Sequence, residues 1–266
     1  VNGTTNYILS QMAATGASYA DALADAQRLG YAEADPTDDV TGRDAAAKMA
    51  ILARLAFHTP VHLDQVPYEG IEHITADDLE YARDLGLGLK LIGTAERVDG
   101  KLSVRVHPAF LYGGHPLANV HGPYNAVTVE SESITEITMS GPGAGGPQTA
   151  SAVLGDVISA MIPPASTPET SQRLEIADDV ESAFYLHLEV ADRPGVLAQV
   201  AQLLGMQGAS IKSVVQHGLG EKARLVMVVH PLLESRFFAA VSLIGRLDFV
   251  RSPPRAIRVI EEEFGR

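Results

Sequence analysis

Over roughly the first ninety residues apolar positions recur at helical spacing, and from Leu89 onward they alternate with polar ones. Tyr7, Ile8, Leu9 and Met12 form a first apolar stripe, with Thr4 or Thr5 as its candidate cap and Gly16 as its stop. Ser18 followed by Asp21 resembles a capping box, and Gly30 closes the helix predicted over 19–29. A third helix is predicted from Thr41 or Gly42 to about His58, ending before Thr59-Pro60. Between Ala45 and Phe57 only Lys48 and Arg54 are charged, so this helix is expected to be buried on nearly every side. Asp44 and Lys48 are four residues apart with the acid first, and they share a face that Ile51 and Leu55 continue. Thr75 with Asp78 marks a fourth start, for a helix through about Gly86.

Strands are predicted over 89–97 and 101–107 around Asp99-Gly100, a hairpin-turn signal, and again over 124–130 and 134–140. Helices grouped ahead of four strands imply an α+β domain, its helices packed on a mostly antiparallel or mixed sheet. Gly141 to Gly146 then leads into a helix from Gln148 to about Met161. The prolines and polar residues of 163–181 read as a linker, which sets a first domain at 1–162 and a second at 182–266. The second domain reads as strand 183–190, helix 195–207, strand 210–218, strand 221–230, helix 232–245 and strand 247–260. That βαββαβ order closes into a four-stranded ferredoxin-like sheet with two helices on one face. Val196, Leu197, Val200, Leu203 and Leu204 supply an apolar stripe for the first of those helices.

Composition narrows the function classes. The formal charge of −13 and the scatter of the twenty Lys and Arg residues argue against a nucleic-acid partner. No apolar run approaches a membrane span, so no membrane association is expected, and the absence of cysteine removes thiolate chemistry and fits a cytoplasmic protein. The chain opens on Val1-Asn2-Gly3 without a methionine, which reads as a cut within a longer protein.

The candidate chemistry gathers between Gly30 and Lys48, where Glu33, Asp35, Asp38, Asp39 and Asp44 precede one ammonium, Lys48. Carboxylates beside a single lysine can orient an amino-acid substrate and move a proton. The blander reading of Asp44 and Lys48 is a surface ion pair worth about 0.3 to 0.5 kcal/mol. Asp35 and Asp38 read as turn and cap residues around Pro36. A divalent cation site is the weaker alternative for the cluster, because the spacing is not that of an EF-hand loop and no histidine lies in it, so no metal ligand is assigned. Gly141 to Gly146 contains G-x-G-x-G-G without the βαβ unit and distant acid of a dinucleotide fingerprint, which favours a tight turn. His107, His115 and His121 have no ligand spacing and are expected to be structural.

Several separated blocks, in order, resemble the catalytic portion of homoserine dehydrogenase. They are Val1-Asn-Gly-Thr-Thr-Asn-Tyr-Ile-Leu9, Gly30-Tyr-Ala-Glu-Ala-Asp-Pro-Thr-Asp-Asp39 with Gly42, Asp44 and Lys48, His115-Pro-Leu-Ala118 with Asn125-Ala-Val127, and Gly141 to Ser151. Asp192-Arg193-Pro194-Gly195-Val196-Leu197, within Phe184 to Glu261, resembles the ligand-side turn of an ACT domain. The resemblance implies interconversion of L-homoserine and L-aspartate 4-semialdehyde with NADP or NAD, in threonine and methionine biosynthesis. It implies Lys48 as the acid–base group and Asp44 as its partner. Glu33 and Asp39 become substrate-binding carboxylates, with Gly3, Thr4 and Tyr31 completing the pocket. Gly143 and Gly145 become contacts of the nicotinamide half. Asp192, Gly195 and Val196 become the allosteric site, with L-threonine the expected ligand. Also implied are a homodimer or homotetramer, and a nucleotide-binding domain ahead of Val1 that would carry most of the cofactor site and a backbone-carbonyl cation site. The alternative function is a non-catalytic amino-acid-binding and dimerisation module.

Overall fold

The computed structural model describes residues 1–162, 173–218 and 223–260. Most of the expected linker, 163–172, lies outside the described residues. The chain divides into two compact units, Val1–Ile176 and Ala177–Arg266, each with its own core.

The first unit begins with α1 (Gly3–Thr15) and α2 (Tyr19–Arg28), each held by local chemistry. The cap of α1 is Asn2 rather than a threonine: its side chain accepts from the Thr5 amide, and Gly16 at φ 72° ends the helix. Ser18 caps α2 through the Asp21 amide. A one-turn α3 (Thr37–Val40) leads through Gly42 into α4 (Arg43–Phe57), and α5 (Ala76–Asp84) starts at a Thr75–Asp78 capping box.

Strands β1 (Leu87–Val98) and β2 (Lys101–Tyr112) form an antiparallel ribbon paired along its whole length. Asp99 and Gly100 both have positive φ, the geometry of a type I′ hairpin turn. The second pair, β3 (Tyr124–Ser131) and β4 (Thr135–Pro142), makes a separate two-stranded ladder rather than joining the first ribbon. It is followed by α6 (Gly146–Ala160), on which Val153, Leu154, Val157 and Ile158 are all exposed.

Helix α4 covers one face of the ribbon. Ala45, Ala46, Met49, Ala50 and Ala53 pack on Leu102, Val104 and Val106, with Leu91, Ala95, Leu174 and Ile176 at the margin. The contact is close because the helix offers mainly alanines, and because position 93 is glycine, where a Cβ would collide with Met49. Each fully buried Val, Leu or Met here contributes about 1.5 to 3 kcal/mol. The opposite face of α4 is open: Ile51 and Leu55 are 61% and 67% exposed, so this helix is not buried on all sides. Composition misleads here because alanines make up most of the inward face while the apolar Ile51 and Leu55 point outward.

The second unit is β5 (Glu181–Val190), α7 (Val196–Met206), β6 (Ile211–His217), β7 (Ala223–Leu233), α8 (Glu234–Ile244) and β8 (Arg255–Ile260). Its antiparallel strands lie in the order β8-β5-β7-β6. Phe184, Leu186, Leu188 and Val190 alternate into a core with Val196, Val200, Leu204, Phe237 and Ile244. The rings of Phe184 and Phe237 stack at 3.8 Å. Strand β8 starts eight residues later than 247, after Pro253 and Pro254, which cannot donate to a ladder. The fold is α+β throughout, and no described helix is long and apolar enough to cross a membrane.

Candidate functional site

The acidic segment is held in place by backbone. The Ile71 amide donates to the Val40 carbonyl at 2.9 Å and the Glu69 amide to the Val106 carbonyl at 2.9 Å, so residues 69–71 join α3 to β2. Gly42, at φ 85°, makes the turn into α4 and brings Asp44 and Lys48 to its first turns. Asp44 at a helix start also meets the favourable end of the helix dipole.

Asn2 is the centre of the resulting cluster. Its Nδ2 donates to Asp39 Oδ1 at 2.6 Å and to Asp44 Oδ2 at 2.9 Å. Its Oδ1 accepts from the amide and hydroxyl of Thr5. Lys48 Nζ donates to Asp44 Oδ2 at 2.7 Å and to the Val1 carbonyl at 3.2 Å. A continuous string therefore runs Asp39, Asn2, Asp44, Lys48, with the lysine and Asp44 side chains 46% and 31% exposed. Thr4 Oγ1 donates to the Tyr31 carbonyl at 2.7 Å, and the Tyr31 ring lies 4.7 Å from that of Tyr7. Glu33 is exposed and is tied in through its backbone, whose carbonyl accepts from Gln27.

Beside this string lies a buried cation. Lys90 is 7% exposed and donates to Asn6 Oδ1 at 2.8 Å and to the Val120 carbonyl. Among the described residues no carboxylate pairs with it, and burial pushes its ammonium from 10.5 down to about 8. A folded pKa below the unfolded one means that the folded state holds fewer protons between the two values, so stability rises with pH through that window. The cost of the buried charge is present in full below about pH 8 and relieved by about pH 10.5. Urea unfolding of this unit is expected to show a gain on the order of 2 kcal/mol between about pH 7.5 and 10, absent from Lys90→Met.

Asp35 accepts from the Thr37 hydroxyl at 2.6 Å and amide at 3.2 Å, which holds its carboxyl below the usual range, and Asp38 pairs with Arg43 at 3.1 Å. His115 accepts from the Leu117 amide, a cap that requires a neutral ring and agrees with the downward push of burial on it. His107 is buried beside the Pro108 carbonyl. No group of three or more metal-ligating side chains occurs among the described residues.

Gly143 and Gly145 lie in the turn before α6. A Cβ on Gly143 would collide with the Asn125 side-chain amide, whose Oδ1 is buried without a hydrogen-bond partner among the described residues. Gly145 caps α6 at φ 128°, a conformation open to glycine.

In the second unit, Gly195 at φ 91° opens α7 beside a groove of about 490 Å³ lined by Asp192, Arg193, Val196, Leu197 and Gln216. Gln216 Nε2 donates to Asp192 at 3.0 Å, and Arg193 pairs with Asp248 while lying over the Phe249 ring. Leu197, expected in the core stripe, is exposed because it lines this groove.

The homoserine dehydrogenase family model matches residues 1–158, more than half of the chain, and the ACT domain model matches residues 185–248. The chain belongs to the homoserine dehydrogenase family. It is 45% identical to homoserine dehydrogenase of Corynebacterium glutamicum, over 97% of this chain and 61% of the relative. With that of Mycobacterium tuberculosis it shares 44% identity over 97% of this chain and 63% of the relative. The structure of a homoserine dehydrogenase from Thiobacillus denitrificans superposes with a TM-score of 0.91 at 37% identity, covering 98% of this chain and 62% of that one. The chain thus spans about three fifths of the length of the homoserine dehydrogenases it matches.

Of the residues singled out in this member of the family, Lys48, Asp44 and Asp39 come together through Asn2, and Thr4 meets Tyr31. Gly3 sits at the start of the same helix under Pro123, while Glu33 is exposed and is held through its backbone carbonyl, which accepts from Gln27. Sequence reasoning missed Asn2, Lys90 and Gln216. The signal for Asn2 was its place before a helical stripe; Lys90 and Gln216 sit in strands, where a lone polar residue reads as solvent-facing.

Proposed function

We propose that this chain supplies the homoserine-binding and proton-transfer half of a cytoplasmic NAD(P)-dependent homoserine dehydrogenase, which interconverts L-homoserine and L-aspartate 4-semialdehyde. The observation that carries the reading is the string of Asp39, Asn2, Asp44 and Lys48 at the joint of α1 and α4. In oxidation the hydroxyl loses its proton to neutral Lys48, and in reduction the Lys48 ammonium returns a proton to the carbonyl oxygen. Asp44 holds the lysine nitrogen and passes its proton outward. Asn2 can only donate from Nδ2, so it keeps both acids aligned as acceptors. Asp39 and Glu33 carry the negative charge that holds the substrate ammonium, and Gly3 with the Thr4–Tyr31 contact shapes the rim.

The nicotinamide, when bound, supplies the acceptor for the hydride that leaves the carbinol carbon. The residues present suit its carboxamide end: Gly143 and Gly145 keep side chains out of the turn, and Asn125 Oδ1 is an acceptor in want of a donor beside them. Most of the nucleotide contacts are assigned to a separate nucleotide-binding domain, and the exposed apolar side of α6 to packing in a homodimer or homotetramer.

The ACT unit is assigned as a sensor for a free amino acid, L-threonine by family analogy. The amides at the start of α7 face a carboxylate and Asp192 takes the ammonium. Titration calorimetry on this chain tests both sites. Homoserine binding is expected to be lost in Glu33→Ala and kept in Asp192→Ala, and threonine binding the reverse. Failure of both ligands to bind the unsubstituted chain would count against both assignments.

A further inference from the structure

The mechanism above leaves the buried Lys90 unused, and its surroundings say what it does. Lys90 projects from the ribbon face opposite α4, since it alternates with Leu91 and Gly93. Its ammonium can only donate, so Asn6 must turn its oxygen toward Lys90 and its Nδ2 away. That nitrogen reaches three carbonyls of one segment: Val120 at 3.0 Å, Gly122 at 2.9 Å and Tyr124 at 3.2 Å. Lys90 also holds Val120 directly. The gripped segment passes between both glycine sites. A Cβ on Gly3 would stand 2.8 Å from the Pro123 carbonyl, and Asn125, next after Tyr124, fills the space at Gly143. A neutral donor would hold the same carbonyls without burying a charge among neutral acceptors, so the fold accepts a cost here that packing alone does not require.

We infer that Lys90 is a positioning residue for the active site: by fixing the orientation of Asn6 it clamps residues 120–125, which set the Gly3 end of the homoserine seat and the Gly143 turn together. The inference rests on the functional reading above for the identity of the substrate, and on hydrogen bonds alone for the clamp.

The test has two arms. Hydrogen–deuterium exchange on the 266-residue chain compares wild type with Lys90→Met and, from the other side of the clamp, Asn6→Ala. In both variants amides of 3–6 and 120–125 are expected to exchange about tenfold faster, with the β5–β8 sheet unchanged. Steady-state kinetics of the holoenzyme carrying the same substitutions is expected to show a KM for homoserine raised about tenfold or more, with the KM for NAD(P) raised less. A merely structural lysine would lower the active fraction and leave both KM values alone. Unchanged exchange in both variants would overturn the clamp, and altered exchange with unaltered KM would overturn the positioning role. A wild-type holoenzyme inactive on homoserine would instead sink the functional reading, and the substrate part of this proposal with it.

Discussion

Lys48→Ala is expected to lower the turnover of the holoenzyme about 10³-fold while leaving its folding stability within about 1 kcal/mol of wild type. The two halves of that expectation have separate causes. Stability is insensitive because the Lys48–Asp44 pair lies on an open helix face, and the core side of α4 is made of Ala45, Ala46, Met49, Ala50 and Ala53. Turnover is sensitive because no other ammonium donates to Asp44 among the described residues, and the acid string ends on this one. Asp44→Asn is the informative companion. It keeps the packing and removes the charge, so it is expected to lower turnover by a smaller factor and to change its pH profile. Measured kcat and urea midpoints on the two variants decide the matter. Near-normal turnover of Lys48→Ala would remove the lysine from the chemistry.

Gly70→Ala is expected to cost about 3 kcal/mol of stability in the first unit, near the upper end for overpacking. A Cβ there would overlap the Val40 carbonyl and stand 2.6 Å from the Thr41 Cα, and both are backbone with no side chain to swing aside. From the other direction, a Cβ on Gly42 would stand 3.0 Å from the Glu69 carbonyl. Two stretches of main chain are thus meshed through paired glycines, and the mesh is what seats α3 and α4 on β2. Gly155→Ala is the control: nothing lies within 4 Å of its Cβ in the middle of α6, so it is expected to be neutral or to stabilise by up to about 1 kcal/mol. Denaturant unfolding of both variants separates a clash from a general intolerance of substitution.

Features set by neighbours in sequence were legible before the structure. Ser18 and Thr75 cap helices because the partner amide is three residues away, and Asp99-Gly100 turns a hairpin because both residues tolerate positive φ. The βαββαβ order was legible because each element carries its own apolar period. Features set across the chain were not. Asn2 was passed over as a cap in favour of Thr4 or Thr5, and the acids that accept from its side chain lie 37 and 42 residues on. Lys90 sits in an alternating strand pattern in which lysine suggests solvent, and only Asn6, 84 residues earlier, makes its burial tolerable. The open side of α4 was misread for a related reason: a count of apolar residues carries no information about which of them face a sheet.

That open side has a consequence for timing. Two unit charges about 4 Å apart attract by about 1 kcal/mol in water and by about 4 kcal/mol at an effective dielectric constant near 20. While the face of Ile51 and Leu55 is wet, solvent screens the attraction between Lys48 and Asp44 toward the lower of those two values. Any surface that comes down on those two side chains lowers the local dielectric and raises the stakes of every charge beneath it. On the proposed role of Lys48, such a covering would tighten its pair with Asp44, and a molecule that prevents the covering would leave the pair screened by water.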